Sequence, residues 1–164
     1  MSQPSLQREE EIITKLKSRF NESIKETKTD RPRRITITCD KDHILEIAKF
    51  TRDEVTFDHI IGICGVDFPT HKKLEVLYFL GSTTNPDIYG IILILKVELP
   101  RDNPTVASVL SVWESAHFHE RETFEMFGIK FEGHPDLRKL LTLDNWEGPP
   151  PMLKDLKFPE MSQR

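Results

Sequence analysis

Cysteine is nearly absent: 164 residues carry two, Cys39 and Cys64, and neither belongs to a Cys-x-x-Cys pair. Two thiols are too few for an iron–sulfur cluster, which takes four ligands, and the spacing matches no zinc motif. Both are expected to be buried as small apolar side chains without a disulfide. Long apolar runs are also missing. The longest, Ile88–Leu95, is eight residues, against roughly 20 for a membrane-spanning helix. The first ten residues, Met-Ser-Gln-Pro-Ser-Leu-Gln-Arg-Glu-Glu, hold no apolar core for a secretory signal, so a protein of the cytoplasmic side is expected. A positive excess is lacking too: 23 Lys and Arg face 27 Asp and Glu, a net charge of −4, which gives no support to nucleic-acid binding. Four Asn and three Gln stand against those 50 charged residues, a bias found in heat-adapted proteins. No P-loop, dinucleotide glycine pattern, Gly-x-Ser-x-Gly or His-Glu-x-x-His occurs.

What is present reads as one α+β domain over residues 1–133, followed by an extended tail over 134–164. The fold expected is two N-terminal helices, about four mostly antiparallel strands, one long helix and a proline-rich end. Leu6, Ile13, Leu16, Phe20 and Ile24 form a stripe at helical spacing, predicting a helix over about 6–27. The Arg31-Pro32-Arg33-Arg34 break is a solvated turn or a basic patch. Ile35–Cys39 alternates with period two, as a strand does. Asp40 is a candidate N-cap for a short helix carrying Ile44, Leu45, Ile47, Ala48 and Phe50. Runs 57–68, 73–81 and 89–99 are separated by short turn-like segments, predicting an antiparallel meander. Ile91–Leu95 would be a central strand, apolar on both faces. Asn103-Pro104 then signals a helix start, with Gly128 as its stop.

Along that long helix, Val106, Val109, Leu110, Trp113, Ala116, Phe124 and Phe127 lie on one face, and Glu120 falls on the same stripe. A carboxylate there is paired, protonated or turned to a partner. Glu120 and Glu122 point about 200° apart on a helix and cannot converge on one reacting atom. Acid–base catalysis with His117, His119 or His134 is therefore the weakest reading, behind a structural ion pair and contact with a partner. In the tail, Leu137, Leu140, Leu141, Leu143, Trp146, Met152, Leu153, Leu156 and Phe158 alternate with five prolines between residues 134 and 160. Each large side chain gains roughly 1.5–3 kcal/mol on burial. A ribbon of this kind lies along another subunit or back over its own domain.

The segment from Glu120-Arg121-Glu122-Thr123-Phe124-Glu125-Met126-Phe127-Gly128 through His134-Pro135-Asp136-Leu137-Arg138-Lys139-Leu140-Leu141 closely resembles the signature of the respiratory-chain NADH dehydrogenase 30 kDa subunit family. Gly65-Val66-Asp67-Phe68 and Asp144, Trp146 and Gly148 resemble two further family segments, and the looser likeness spans about residues 35–155. The resemblance implies a subunit with no catalytic, cofactor-binding or metal-binding residues of its own. It implies partners in a multisubunit membrane complex: a hydrogenase large-subunit homologue and a neighbouring iron–sulfur small subunit, which would hold the NiFe centre and the iron–sulfur clusters. Contact residues are then expected at Glu120, Arg121, Glu122, Phe127, Gly128, His134, Pro135, Asp136, Leu137, Arg138, Leu141, Trp146 and Leu153. Gly148 is followed by Pro149-Pro150-Pro151-Met152-Leu153-Lys154-Asp155, and the chain stops nine residues after Asp155. Both features tilt the resemblance from complex I toward energy-converting, ferredoxin-dependent hydrogenases that evolve hydrogen and pump ions, with this subunit peripheral on the cytoplasmic face of the membrane.

Overall fold

The computed structural model describes residues 6–143 and 145–156. Strands β1 (Ile24–Arg31), β2 (Arg34–Cys39), β3 (His59–Phe68), β4 (Lys73–Gly81) and β5 (Ile92–Pro100) form one sheet in the order β1-β2-β5-β4-β3. The β3-β4-β5 meander is antiparallel, as the short turns require, and β5 closes the sheet by pairing parallel to β2. Helices α1 (Gln7–Phe20) and α2 (Ile44–Asp53) cover one face. Asp40 accepts the Asp42 N–H at 3.1 Å and starts a 3-10 turn that runs into α2. Ile44, Ile47, Ala48 and Thr51 of α2 are buried, meeting Ile35, Ile37, Leu93, Leu95, Val97, Val76 and Leu80 from alternate strand positions.

Four expectations need correction. The N-terminal helix stops at Phe20, and Ile24–Arg31 is an edge strand paired antiparallel with β2. Its charged residues mimic a helix surface, but Thr27 and Thr29 alternate inward against Ile37 and Ile35, and lysine on an exposed edge suits a strand that must not pair further. The Arg31–Arg34 segment is the hairpin turn, with Arg33 at φ 63°. The strand over β5 is not apolar on both faces: Leu93, Leu95, Val97 and Leu99 are buried, while Ile92, Ile94, Lys96 and Glu98 line a half-exposed face. Cys39 is buried but Cys64 is exposed, and both are free.

The fourth correction is the long helix. Only α3 (Ala116–Phe127) is helical; residues 105–107 form β6, paired parallel to β7 (Lys130–Glu132). Val106 and Phe131 bury together in that pair, so tertiary pairing overrides the Asn-Pro start signal. Gly128 ends α3 in the left-handed conformation, φ 75°, donating its N–H to Phe124 O at 2.8 Å. The helix packs along β3, and the Thr123 hydroxyl donates to Ile63 O at the sheet's edge.

Candidate functional site

Helix α3 buries polar side chains: Glu120, Arg121, Thr123 and Glu125. Glu120 faces the domain. Its carboxylate accepts from the Ser108 hydroxyl at 2.6 Å and the Val109 N–H at 2.7 Å. Burial pushes its pKa up to about 7, and the two hydrogen bonds only partly offset that rise. It fixes the turn entering α3 and offers no surface to a partner or substrate.

Arg121 and Glu125, one turn apart, face the tail. Arg121 donates to Arg138 O at 3.2 Å and to Lys139 O at 3.0 Å. Glu125 accepts three backbone N–H bonds, from Leu140 and Leu141 at 2.8 Å each and from Thr142 at 2.7 Å, and also the Thr142 hydroxyl. Desolvation works against the Glu125 carboxylate, but these donors outweigh it and hold its pKa down at about 2. The guanidinium therefore takes carbonyls and the carboxylate takes amides of one turn. With the turn's backbone satisfied, its side chains point outward: Leu141 is 61% exposed and Leu143 is 75% exposed.

His134 opens the tail. It stacks on His117 with ring centroids 4.8 Å apart. Its Nδ1 accepts the Asp136 N–H at 3.1 Å, so Nε2 carries the proton and donates to His117 O at 3.2 Å. Burial lowers the His134 pKa. Phe118, 59% exposed, lies beneath the Arg121 guanidinium at 5.9 Å. Asp136 pairs with exposed Arg138 at 3.1 Å, and Pro135 is exposed.

Further ties bring the tail back over its own domain. Leu137 and Leu153 pack on the core. Met152 N–H donates to Met126 O at 3.0 Å. Trp146 is half-buried and donates its indole N–H to Pro149 O at 3.1 Å. Lys154 N–H reaches Asp67, which also takes two hydrogen bonds from Arg101 at 2.8 and 3.0 Å. The Gly65-Val66-Asp67 segment is thereby explained. A Cβ on Gly65 would sit 2.4 Å from the Phe127 ring, and Asp67 anchors the tail. Arg101, Ser108 and Thr142 belong to the same arrangement, and no sequence motif marks them.

Of the contact residues expected from sequence, Glu120 and Arg121 are buried within the chain. Phe127 and Gly128 are half-buried at the end of α3, and Glu122 is exposed beside them. Glu122, Met126, Phe127 and Met152 border a groove of about 260 Å³ against Cys64 and Gly65. His134, Pro135, Asp136, Leu137, Arg138, Leu141, Trp146 and Leu153 run in sequence along the tail. Asp144, Phe158, Pro159 and Glu160 lie outside the described residues. Among the described residues, no helix is long and apolar enough to cross a membrane.

This mixed-sheet α+β domain, with its last helix and tail joined as one unit, is the fold of a chain from a solved respiratory assembly. The chain is similar to one from the membrane-bound sulfane sulfur reductase, an archaeal respiratory membrane complex: TM-score 0.79 and 25% identity, covering 92% of this chain and 86% of that one. Residues 37–162 match the family described as respiratory-chain NADH dehydrogenase, 30 Kd subunit, and the chain belongs to that family. One subunit of the F(420)H(2) dehydrogenase of Methanosarcina mazei is 38% identical over 154 residues, covering 93% of this chain and 95% of that one. Another relative, from the NADH-quinone oxidoreductase of a Roseiflexus species, is 42% identical over 112 residues, 66% of this chain and 62% of that longer one. The protein is a subunit of a complex I-like membrane complex.

Proposed function

We propose that this chain is a cofactor-free assembly subunit that docks on the large catalytic subunit of its complex through the turn over residues 138–143 and the adjoining flank of α3. The observation that carries this reading is the double grip of Arg121 and Glu125. It satisfies the turn's backbone from inside and leaves Leu141 and Leu143 presented outward. Exposed leucines on a rigid, pre-ordered turn lose little entropy on docking. The redox chemistry, with any NiFe centre and iron–sulfur clusters, belongs to the large subunit and its neighbouring iron–sulfur subunit. This chain sits peripherally on the cytoplasmic side and transfers neither electrons nor ions itself.

Among complexes of this class, the end-to-end likeness to the F(420)H(2) dehydrogenase subunit supports a dehydrogenase oxidising a reduced soluble carrier. A ferredoxin-dependent NiFe hydrogenase that evolves hydrogen and pumps ions is the second reading. It is favoured by the Pro149-Pro150-Pro151 departure in the tail. Affinity purification through a tag on this chain, from mildly solubilised host membranes, tests both. Co-purification of a large-subunit homologue is expected. Oxidation of F420H2 by the eluate supports the dehydrogenase, and hydrogen evolution from reduced ferredoxin supports the hydrogenase. A chain recovered alone overturns the assembly role.

A further inference from the structure

His134 is tied on both sides of its ring, and the two ties make opposite demands on its nitrogens. Nε2–H donates to His117 O at 3.2 Å, which fastens the tail to the start of α3. Nδ1 accepts the Asp136 N–H at 3.1 Å. A backbone N–H can only donate, so the second tie exists only while Nδ1 carries no proton. The Asp136 carboxylate accepts from Arg138 Nε at 3.1 Å and lies 3.9 Å from Arg121 Nη1. Two residues on, Arg121 takes the Arg138 and Lys139 carbonyls. The His134 ring therefore sets the path by which the chain enters the turn over residues 138–143.

A proton on Nδ1 would put two donors face to face. The ring must then turn over or leave its place, and the Asp136 N–H loses its acceptor in either case. Burial disfavours the charged ring, and so do His117, stacked on it with centroids 4.8 Å apart, and Arg121, both from α3. The His117 carbonyl and the Asp136 carboxylate favour the charge, but they do not outweigh burial, and the His134 pKa lies below its ordinary 6.5. An open tail, with the ring in water, holds the proton more tightly than the closed one. The tie is at full strength above pH 6.5 and is lost as pH falls through the lowered value. Glu125, with its pKa at about 2, keeps its charge over this range. Glu120, raised to about 7, stabilises the fold on the acid side. Loosening of the tail by mild acid belongs to neither.

We propose that His134 is an acid-operated latch on the docking turn. With Nδ1 unprotonated it holds the tail against α3, and with Nδ1 protonated it frees the chain from Asp136 onward. Mild acidification thereby weakens docking on the large subunit. That last step rests on docking through this turn; the opening itself does not.

His134→Asn is the discriminating variant. Its Oδ1 takes the place of Nδ1, accepts an N–H two residues ahead and does not titrate. Amide exchange of the purified full chain, expressed as protection factors, is compared at about pH 7.5 and about pH 5.5. In wild type, protection of the Asp136, Leu140, Leu141 and Thr142 amides is expected to fall severalfold in acid while β4 keeps its own. In His134→Asn it should hold. Recovery of the assembled complex through a tagged chain should fall in acid for wild type and not for the variant. Wild-type protection that is equal at both pH values overturns the proposal, as does an equal acid loss in His134→Asn. If the variant does not fold, nitrogen NMR of the wild-type imidazole decides. A bare Nδ1 at neutral pH and a titration midpoint below 6.5 that coincides with loss of Asp136 protection are expected. A proton on Nδ1 at neutral pH, or a midpoint at 6.5 or above, overturns the latch. Acid opening with unchanged recovery overturns the control of docking. A chain that recovers no other subunit even at neutral pH overturns the assembly reading instead, and exchange alone then judges the opening.

Discussion

Glu120 is held by two donors in a place that water does not reach, and the balance between them sets a measurable pH dependence. Its carboxyl keeps a proton up to about pH 7 in the folded chain, against an ordinary value of 4.5. Between those values the folded state binds one more proton than the unfolded state, so stability falls as pH rises. The slope is about 1.4 kcal/mol per pH unit, and the loss is on the order of 3 kcal/mol across the window. Glu120→Gln reproduces the protonated form, since its amide oxygen can take the Val109 N–H while its NH2 faces the Ser108 hydroxyl. Thermal melts of this variant should lack the wild-type decline between pH 5 and 7 and keep only the rise that the lowered His134 pKa contributes. Equal slopes would show that Glu120 is not the titrating group. Tyr78 is fully buried, and its hydroxyl has no hydrogen-bond partner among the described residues. Tyr78→Phe is therefore expected to match wild-type stability or exceed it by about 1 kcal/mol, and a drop of that size in chemical denaturation would contradict this.

At the scale of elements, the pairing of α3 with the tail governs behaviour. Removing the Glu125 carboxylate leaves three backbone N–H groups of the 140–142 turn without their acceptor, at a cost of about 1–3 kcal/mol per group that stays buried. Glu125→Ala should speed tryptic cleavage after exposed Arg138 and Lys139 severalfold while the sheet keeps its circular dichroism. Unchanged cleavage would mean that the turn is ordered by something else. Because the Glu125 pKa is held down at about 2, its contribution is present above pH 4.5 and is lost as pH falls toward 2, opposite in sign to Glu120. Gly65→Ala drives a methyl into the Phe127 ring and should cost about 1–3 kcal/mol, read as a lower midpoint in urea.

These elements also show where the sequence was readable. The β2–α2 unit was legible because its periods and its Asp40 cap are local, and the β3-β4-β5 meander because its turns are short. The helix over 6–27 and the one expected from Asn103 failed for different reasons. Strand β1 is polar enough to pass for a helix surface although its partner β2 follows directly across a hairpin turn, and β6 is three residues long and exists because the distant β7 supplies its hydrogen bonds. The signature segment holds Gly128, which ends α3 as expected. Of its charged residues, Glu120, Arg121 and Glu122 were read as contacts; Glu120 faces the core, Arg121 faces the tail together with Glu125, and Glu122 faces solvent. That division depends on the tail folding back onto α3, through pairings 15 or more residues apart that periodicity does not encode.

For the whole molecule, the tail is both part of the fold and the surface that the fold presents. Deleting residues 134–164 would remove the partners of Arg121, Glu125 and Asp67 along with the core contacts of Leu137 and Leu153. Such a truncation should lower stability as well as abolish assembly, and so cannot isolate docking. The outward leucines can. Leu141 and Leu143 project away from the domain, so replacing them leaves the internal ties in place. At the centre of an interface each is expected to be worth about 2 kcal/mol, roughly thirtyfold in affinity. The decisive measurement is recovery of the complex through tagged full-length chain, wild type against Leu141→Asp/Leu143→Asp, with the melting temperature of each purified chain taken alongside. Docking through this turn predicts equal melting temperatures and at least a tenfold loss of co-purified large subunit. Wild-type recovery by the double variant would contradict it.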